Sequence, residues 1–327
     1  MKPTDNQIET EETRHLDSTL RPEKFSDYIG QETIKKNLHI LLTAAKERNT
    51  PPEHILLYGP PGLGKTTLAH LIAKELNANL KLSSGPAIMK VGDLAAILTN
   101  LTPGDILFID EIHRLNKMIE EVLYPAMESG KLDIVIGKGP SARTIQLDLP
   151  PFTLIGATTR ISLLSSPLRS RFSGGVHRLQ YYSEEEIATI VKNSAKILGI
   201  DIPRDASLEI AKRSRFTPRI ANYYLKRARD YAQVHKATLD KDAVNISLSL
   251  LEIDEFGIGI SERMILEALV NTFNGGPVGI STLAAATGEE EATISDVTEP
   301  YLLQIGMIER TPRGRKATDK ATKHFKK

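Results

Sequence analysis

The chain has no cysteine among its 327 residues, so it can form neither disulfide bonds nor thiolate-ligated metal sites. No apolar run approaches the roughly 18 residues that a membrane-spanning helix needs. The polar, acidic residues 1–17 lack the apolar centre of a signal peptide. The histidines are scattered without the spacing of metal ligands. These absences predict a soluble, cytoplasmic protein without a membrane partner, and the length predicts two or three domains.

An excess of charge of either sign is also missing, because the formal net charge is only +1. The charge is unevenly distributed, since residues 310–327 contain eight Lys or Arg and a single acid, Asp319. A basic end of this kind is where a polyanion would bind, although a solvated tail has the same composition. The folded-looking segment ahead of it favours binding. Residues 1–19 are polar, without apolar periodicity, and predict a disordered tail.

The most informative stretch is an apolar strand that breaks into a loop rich in glycine and proline and continues as a helix. Residues 59–66 match the phosphate-loop pattern G-x-x-x-x-G-K-[ST]. Gly62 and Gly64 let backbone N–H groups turn inward around an anion, at the positive end of the helix dipole. Lys65 can reach the β and γ phosphates, and the hydroxyl of Thr66 can ligate Mg²⁺. A turn that binds nothing is the alternative, but the order of strand, loop and helix disfavours it.

A second apolar strand, residues 105–109, ends in Asp110 and Glu111, about 45 residues after the phosphate loop. In a parallel sheet the carboxyl ends of the strands line one crevice, so both carboxylates should face the loop. Asp110 would then hold magnesium through water, and Glu111 would polarise the attacking water. Turns are often acidic, but the distance from the phosphate loop favours a catalytic pair.

The next strand, residues 152–157, is followed by Thr159, whose hydroxyl could report whether a γ phosphate is present. Farther on, Arg169 and Arg171 are either surface charges or cations that neutralise phosphate across a subunit interface. The residues alone leave both interpretations open.

Two other segments also have open interpretations. Leu20, Tyr28 and Ile29 could form an apolar slot for an adenine ring or could simply pack in the core. Residues 132–149 predict a β-hairpin whose tip lies at 137–141. Such a protruding hairpin is either an interaction arm or a solvated loop.

A capping box at residues 183–186 begins an all-helical region. Helices are expected at about 184–198, 205–213, 218–234 and 240–251. Arg219 falls in the first turn of the third of these helices, where a cation opposes the helix dipole. Its position there suggests that an anion shares the site.

The residues beyond 254 predict three helices followed by a basic β-hairpin, which is the layout of a winged helix-turn-helix. The helices are expected at 261–273, 281–287 and 290–303, and the hairpin at 307–318. Arg310, Arg313 and Arg315 on this wing would contact DNA phosphates or reach into a minor groove. A winged helix can bind protein instead, but the charge of the hairpin favours nucleic acid.

Taken together, these motifs resemble those of the RuvB family, the bacterial Holliday-junction branch-migration ATPases of the AAA+ class. The likeness runs from about residue 20 to the C-terminus. It is carried by residues 58–70, 107–115, 133–140, 156–160 and 310–315. The phosphate loop and the acidic pair alone indicate only an AAA+ protein, whereas the hairpin and the wing indicate this family.

The resemblance implies an α/β fold, with an AAA+ P-loop NTPase domain built on a parallel sheet, a small all-helical lid domain and a C-terminal winged-helix domain. The implied bounds are 20–182, 183–254 and 255–327. The implied activity is ATP hydrolysis with Mg²⁺, driving branch migration by a homohexamer on duplex DNA in recombination, DNA repair and the SOS response. RuvA would dock on the 132–149 hairpin, and the RuvC resolvase would join the wider complex.

The resemblance also implies roles for single residues. Asp110 and Glu111 become the Walker B pair, and Thr159 becomes sensor 1. Arg219 becomes sensor 2, and Arg171 the finger that reaches the next subunit's nucleotide. Thr66 and Asp110 would hold the metal. The implied nucleotide contacts are Leu20, Arg21, Ile29, Gly62, Gly64, Lys65, Thr66, Thr67, Glu128, Ser129, Gly130, Arg171, Tyr182 and Arg219.

Two positions depart from the family pattern. Residues 172–176 contain one residue more than usual, directly after the implied finger, which puts its aim in question. Glu291 stands where an arginine usually faces DNA, and it should weaken affinity for the DNA backbone.

Two other functions fit parts of the sequence. One is an AAA+ clamp-loader-like or protein-remodelling ATPase that uses the winged helix as an adaptor. The other is a DNA-binding regulator that uses ATP only as a switch. Duplex-stimulated, multiple-turnover ATP hydrolysis would argue against both.

Overall fold

A computed structural model describes residues 19–136 and 143–325. The chain divides into two compact units. The first contains the residues up to Glu186 together with Thr217–Arg219, and the second contains Ile187–Phe216 and the residues from Ile220 onward. The predicted disordered tail, up to residue 18, and the predicted hairpin tip at 137–141 lie outside the described residues. Within the described ranges, no helix combines the length and the hydrophobicity needed to cross a membrane.

The first unit is organised by a five-stranded sheet, which confirms the predicted parallel architecture. The strand order is β2-β3-β6-β1-β7, and every neighbouring pair is parallel. The strands are β1 (Ile55–Tyr58), β2 (Leu80–Ser84), β3 (Ile106–Asp110), β6 (Thr153–Thr158) and β7 (Val176–Arg178). β7, which pairs with β1, was not predicted, because its three residues, Val-His-Arg, contain no apolar run.

Helices cover the sheet and bury its apolar strands. The helices of this unit are Glu32–Arg48, Lys65–Leu76, Val91–Thr99, Lys117–Ser129 and Ser166–Ser170, and Glu184–Ile197 begins here. Leu107, Ile109 and Leu154 from the central strands are fully buried in one cluster with Ile119 and Leu123 from helix Lys117–Ser129. This core places the carboxyl ends of β1, β3 and β6 along one edge, as the sequence predicted.

The predicted hairpin is present as two antiparallel strands, β4 (Lys131–Ile136) and β5 (Arg143–Asp148). Its base is anchored because Leu132 is fully buried in the core of the first unit. Lys131 pairs with Asp148 and Ile136 with Arg143, so the two strands remain in register over their whole described length.

The second unit contains the predicted lid helices and the predicted winged helix, and residues on both sides of position 254 pack within it. Its helices are Arg204–Arg213, Pro218–His235, Lys241–Leu250, Ile260–Glu267, Ile280–Thr287, Glu291–Thr293, Glu299–Gln304 and Asp319–Phe325, with π-helical segments at Ala268–Thr272 and Ile294–Thr298. The wing is formed by β8 (Ile308–Thr311) and β9 (Gly314–Ala317), which pair antiparallel.

The last helix, Asp319–Phe325, was not predicted. Its charged sequence lacks an apolar stripe, but Ala321 is fully buried in the core of this unit, with Leu266, Leu302 and Met307. One small residue facing a core is too weak a periodic signal to identify a helix from sequence.

Candidate nucleotide site and basic wing

The phosphate loop connects β1 to helix Lys65–Leu76, as predicted. Its backbone requires glycine at two positions. Gly62 and Gly64 have φ values of 79° and 94°, in the left-handed region that other residues rarely adopt. A Cβ atom at Gly64 would also lie 2.9 Å from the hydroxyl of Tyr28. The loop is therefore built for close backbone approach.

Lys65 is a nearly buried cation at the start of this helix. Its Nζ donates to the carbonyls of Gly59 and Pro60, each at 2.9 Å. Burial lowers the pKa of Lys65, while the charges of Asp110 and Glu111 raise it. A desolvated ammonium at the N-terminus of a helix is a site that fits a phosphate anion.

Two tyrosine hydroxyls hold the loop from outside. The hydroxyls of Tyr28 and Tyr182 donate to the carbonyl of Leu63 at 3.4 and 3.2 Å, and they lie 3.1 Å from each other. Both rings are buried, and burial raises the pKa of both hydroxyls. Tyr28 therefore packs in the core and also supports the loop.

The remaining residues predicted near the adenine lie in the same segment. Leu20 is buried and Ile29 is half-buried. Arg21 donates from Nη1 to Nε2 of His70 at 2.6 Å, which ties the N-terminal segment to the helix that follows the phosphate loop. The structure thus brings Arg21 next to the loop's own helix.

Asp110 and Glu111 lie at the carboxyl end of β3, as predicted. Asp110 accepts the backbone N–H of Glu111 at 2.9 Å, and burial raises its pKa, with Lys65 and Arg219 opposing that rise. Glu111 has a φ of 46°, an uncommon left-handed conformation for a non-glycine residue. Such local strain is typical of functional sites.

The Glu111 carboxylate is held through one oxygen. The hydroxyl of Thr159 donates to Oε2 at 3.0 Å, and Nδ1 of His113 lies 3.1 Å from the same atom. Both of these contacts, from Thr159 and His113, are made with Oε2, and neither of the two residues contacts Oε1. The sequence analysis placed Thr159 at the end of β6 but did not predict that it would hold Glu111.

His113 and Thr158 were both missed. Nδ1 of His113 lies 2.9 Å from the Thr158 hydroxyl, and burial lowers the His113 pKa. The only sequence signal was the position of His113, two residues after the acidic pair.

Arg219 belongs to the first unit although it lies on helix Pro218–His235. Its backbone N–H donates to the carbonyl of Gly62 at 3.4 Å, and a Cβ atom at Gly62 would lie 3.2 Å from its own Cβ. Its charge lowers the pKa of Asp110. Lys65, Asp110 and Arg219 therefore meet around one loop, which supports the prediction that an anion shares the site.

Arg171 and Glu128 form a second cluster on another part of the first unit. Nη2 of Arg171 lies 3.0 Å from Oε1 of Glu128. Ser129 and Gly130 follow directly, where Ser129 donates to the carbonyl of Pro125 and Gly130 caps the helix. Among the described residues, the contacts of Arg171 are with this helix and its neighbours rather than with the phosphate loop.

The residues that follow Arg171 form backbone hydrogen bonds with β1 and the residue before it. The N–H of Gly174 donates to the carbonyl of His54, and the carbonyl of Gly175 accepts the N–H of Leu56, both at 2.9 Å. Phe172 is buried in the core. Residues 174 and 175 thus pair with the β1 segment, while Phe172 anchors the chain next to Arg171.

The three wing arginines differ in their surroundings. Arg310 and Arg315 each place two guanidinium nitrogens on the buried carboxylate of Glu299, at 2.8 to 3.1 Å. Arg313 is exposed at the turn between β8 and β9, and Glu291 is exposed as well. Glu299 was missed as a partner, so the wing carries less free positive charge than the sequence suggests.

The donor set around the loop suits a magnesium ion that accompanies phosphates. The described residues contain no cluster of three or more His, Asp or Glu side chains that could cage a metal. Mg²⁺ bound with a nucleotide typically uses one or two protein oxygens and keeps several waters. Thr66 and Asp110 fit that limited role.

Three family models match the chain in succession. They are described as the Holliday junction DNA helicase RuvB P-loop domain over residues 20–179, the RuvB AAA lid domain over 182–254 and the RuvB C-terminal winged helix domain over 255–326. The chain is 54% identical over 323 residues to the Holliday junction branch migration complex subunit RuvB of Fusobacterium nucleatum, covering 98% of this chain and 97% of that protein.

Solved structures give the same result. The RuvB Holliday junction branch migration motor of Thermotoga maritima is 50% identical and superimposes with a TM-score of 0.83, covering 94% of this chain and 98% of that chain. A mutant of the same protein gives a TM-score of 0.85 with equal identity and coverage.

Proposed function

The chain belongs to the RuvB family, and we propose that neighbouring copies hydrolyse ATP at their shared interfaces to drive duplex DNA through a Holliday junction. It is an ATP hydrolase and a branch-migration motor. One observation carries the proposal. A phosphate-loop site that gathers Lys65, Asp110, Glu111 and Arg219 stands on the same chain as a winged helix with a basic hairpin.

ATP binding rests on the loop and its buried cation. Lys65 exchanges its two carbonyl partners for the β and γ phosphates, which then compensate its charge. Thr67 follows on the first helical turn, and Tyr182 and Tyr28 keep the loop carbonyl of Leu63 in place. Thr66 and Asp110 would hold Mg²⁺, which neutralises phosphate charge when bound.

Hydrolysis depends on the strand ends beyond the loop. Glu111 polarises the attacking water with the carboxylate oxygen that Thr159 and His113 do not contact. Arg219 adds a positive charge that lies close enough to Asp110 to lower its pKa. Glu111 and Arg219 both belong to the first unit.

Arg171 is assigned to the neighbouring subunit's nucleotide. Within its own subunit it contacts Glu128, Tyr124 and Pro167. An arginine supplied across an interface stabilises the charge of the phosphoryl-transfer transition state, often by several orders of magnitude in rate. A ring of six subunits places such a finger beside every nucleotide.

We assign the partners to the two antiparallel hairpins. The β4–β5 hairpin, whose base is anchored by Leu132, is the segment that we assign to RuvA. The wing offers Arg313 to the DNA backbone, with Arg310 and Arg315 held on Glu299 beside it. We also assign the protein to the cytoplasm and to recombination and repair, together with RuvC.

Branch migration of a synthetic four-way junction, with and without RuvA, tests the proposal. We expect ATP-dependent separation of the arms that RuvA accelerates, and an ATPase that duplex DNA stimulates in a salt-sensitive way. A protein remodeller would show neither effect. ATP turnover that is indifferent to duplex DNA and to the junction would overturn the proposal.

A further inference from the structure

The Arg171 side chain lies against the face of an aromatic ring. Its guanidinium carbon is 4.4 Å from the centre of the Tyr124 ring. Its two terminal nitrogens contact Oε1 of Glu128 at 3.0 Å and the carbonyl of Pro167 at 2.6 Å. Nε is buried and has no hydrogen-bond partner among the described residues. The guanidinium is therefore held by the ring against its face and by one contact at each terminal nitrogen.

The ring itself is fixed from two directions. The Tyr124 hydroxyl donates to Oε2 of Glu120 at 3.2 Å and lies 2.9 Å from Oγ of Ser165. Ser165 caps the start of helix Ser166–Ser170, and Arg171 caps its end. Tyr124 thus touches both ends of the short helix that carries the arginine.

Tyr124 and Glu128 lie four residues apart, on one face of helix Lys117–Ser129. A ring face attracts a guanidinium without using any of its N–H groups. Arginine has five N–H donors, and the described contacts occupy two of them. This arrangement restricts a long side chain while leaving donors for an incoming phosphate.

We propose that Tyr124 is a positioning residue that aims Arg171 at the neighbouring subunit's nucleotide. The inference rests on the proposed role of Arg171 in trans. Without the ring face, the guanidinium samples more rotamers and meets the transition state less often. Loss of the ring should therefore slow ATP turnover in the neighbouring subunit and leave ATP binding at the phosphate loop of the same subunit unchanged.

The first experiment compares Tyr124→Leu with Tyr124→Phe, which keeps the ring and loses only the hydroxyl. We expect Tyr124→Leu to lower kcat about tenfold, the size of one cation–π contact, and to leave KM and the affinity for a non-hydrolysable ATP analogue unchanged. Tyr124→Phe should retain at least half of the activity. Equal loss in both variants, or weakened analogue binding in Tyr124→Leu, would overturn the proposal. If Tyr124→Leu does not fold, Tyr124→Met replaces it as a variant that fills the space without a ring face.

The second experiment uses mixed assemblies. Lys65→Ala subunits cannot hydrolyse ATP but carry an intact Tyr124 and Arg171. Adding them to Tyr124→Leu subunits should raise the turnover per Tyr124→Leu subunit, because those sites then receive a correctly aimed arginine. A defect confined to the subunit's own site would not be rescued, and that result would refute the proposal.

Arg171→Ala separates this inference from the function it rests on. Full hydrolysis by Arg171→Ala would contradict the trans role itself, whatever Tyr124 does. If Arg171→Ala keeps only a small, measurable rate and is rescued by Lys65→Ala subunits, the trans role stands, and the double variant Tyr124→Leu/Arg171→Ala should be no slower than Arg171→Ala alone. Additive losses would show that Tyr124 acts independently of the arginine.

Discussion

The hydroxyl of Thr159 donates a hydrogen bond to Oε2 of Glu111 at 3.0 Å, joining the ends of two neighbouring parallel strands. Replacing Thr159 by Val keeps the shape and removes the donor. We expect kcat to fall about 10- to 100-fold because the carboxylate loses its orientation, while ATP-analogue affinity is preserved. Single-turnover hydrolysis and equilibrium binding measure the two effects. Thr159→Ser restores the hydroxyl and should recover most of the rate, and equal activity in Thr159→Val would contradict this role.

Gly156 lies on β6 against the residue that follows the implied finger. A Cβ atom there would be 2.9 Å from Cζ of Phe172 and 3.2 Å from the side chain of Ile112. We expect Gly156→Ala to reduce the free energy of unfolding by about 1–3 kcal/mol through overpacking and to lower ATP turnover. Chemical denaturation and steady-state kinetics provide the measurements.

The matched control is Gly92→Ala on helix Val91–Thr99, where an added Cβ atom meets nothing within 4 Å. Alanine there should stabilise the helix by about 0.5–1 kcal/mol. If Gly156→Ala is as stable and as active as Gly92→Ala, the Phe172 side chain can move to accommodate the added methyl group, and the prediction is wrong.

Glu299 is buried between Arg310 and Arg315 at the base of the wing. Burial alone would raise its pKa, but the hydrogen bonds from the two arginines lower it. We expect Glu299→Gln to destabilise the second unit by about 2–4 kcal/mol, because two guanidinium groups lose their charged partner. Urea unfolding should show the loss, and Glu291→Gln, which removes an exposed acid, should stay within about 0.5 kcal/mol of the parent.

The same carboxylate makes the wing sensitive to acid. Because the folded-state pKa of Glu299 is lowered, its contribution is present above the unfolded pKa of 4.5 and is lost as the pH falls through the folded value. Unfolding curves of the parent and of Glu299→Gln should therefore converge at low pH. A constant gap between them would contradict the ionic pairing.

His54 gives the first unit a pH dependence near neutrality. Its Nε2 donates to the carbonyl of Met127 at 3.0 Å, and its Nδ1 accepts the N–H of Leu154 at 2.9 Å, which requires the neutral ring. Burial lowers its pKa from 6.5. Its stabilising contribution is present above the unfolded pKa and is lost as the pH falls through the lowered folded value. Between pH 7.5 and pH 5.5, the Tm of the parent should therefore fall more than the Tm of His54→Asn. Equal decreases in Tm would contradict a neutral His54 in the folded state.

The parts of the fold that could be predicted from sequence are those with local signals. Three elements have a sequence pattern that is recognisable within about ten residues: the phosphate loop, the acidic end of β3 and the wing hairpin. The patterns are glycine placement, apolar runs and turn residues. β7 is too short to show an apolar run, and helix Asp319–Phe325 lacks an apolar stripe, so both were missed.

The partners of the site residues could not be predicted, because they come from distant positions. Arg171 meets Glu128, which is 43 residues earlier in the chain. Arg215 pairs with Glu262 through two hydrogen bonds of 2.7 and 2.9 Å, across the predicted boundary at 254. Charge counting treats each of these arginines as free for an anion, whereas the fold gives each of them a carboxylate.

Phe172 is buried in the same apolar cluster as Ile109 on β3 and Ile112 just beyond it. The residue that precedes it is therefore fastened to the protein interior and not to a pliable surface loop. If Arg171 serves the neighbouring copy as we propose, any shift at the end of β3 would reach it through the packing of Phe172. In the proposed ring, this packing alone would couple the conformation of one subunit to the rate of ATP hydrolysis in the next.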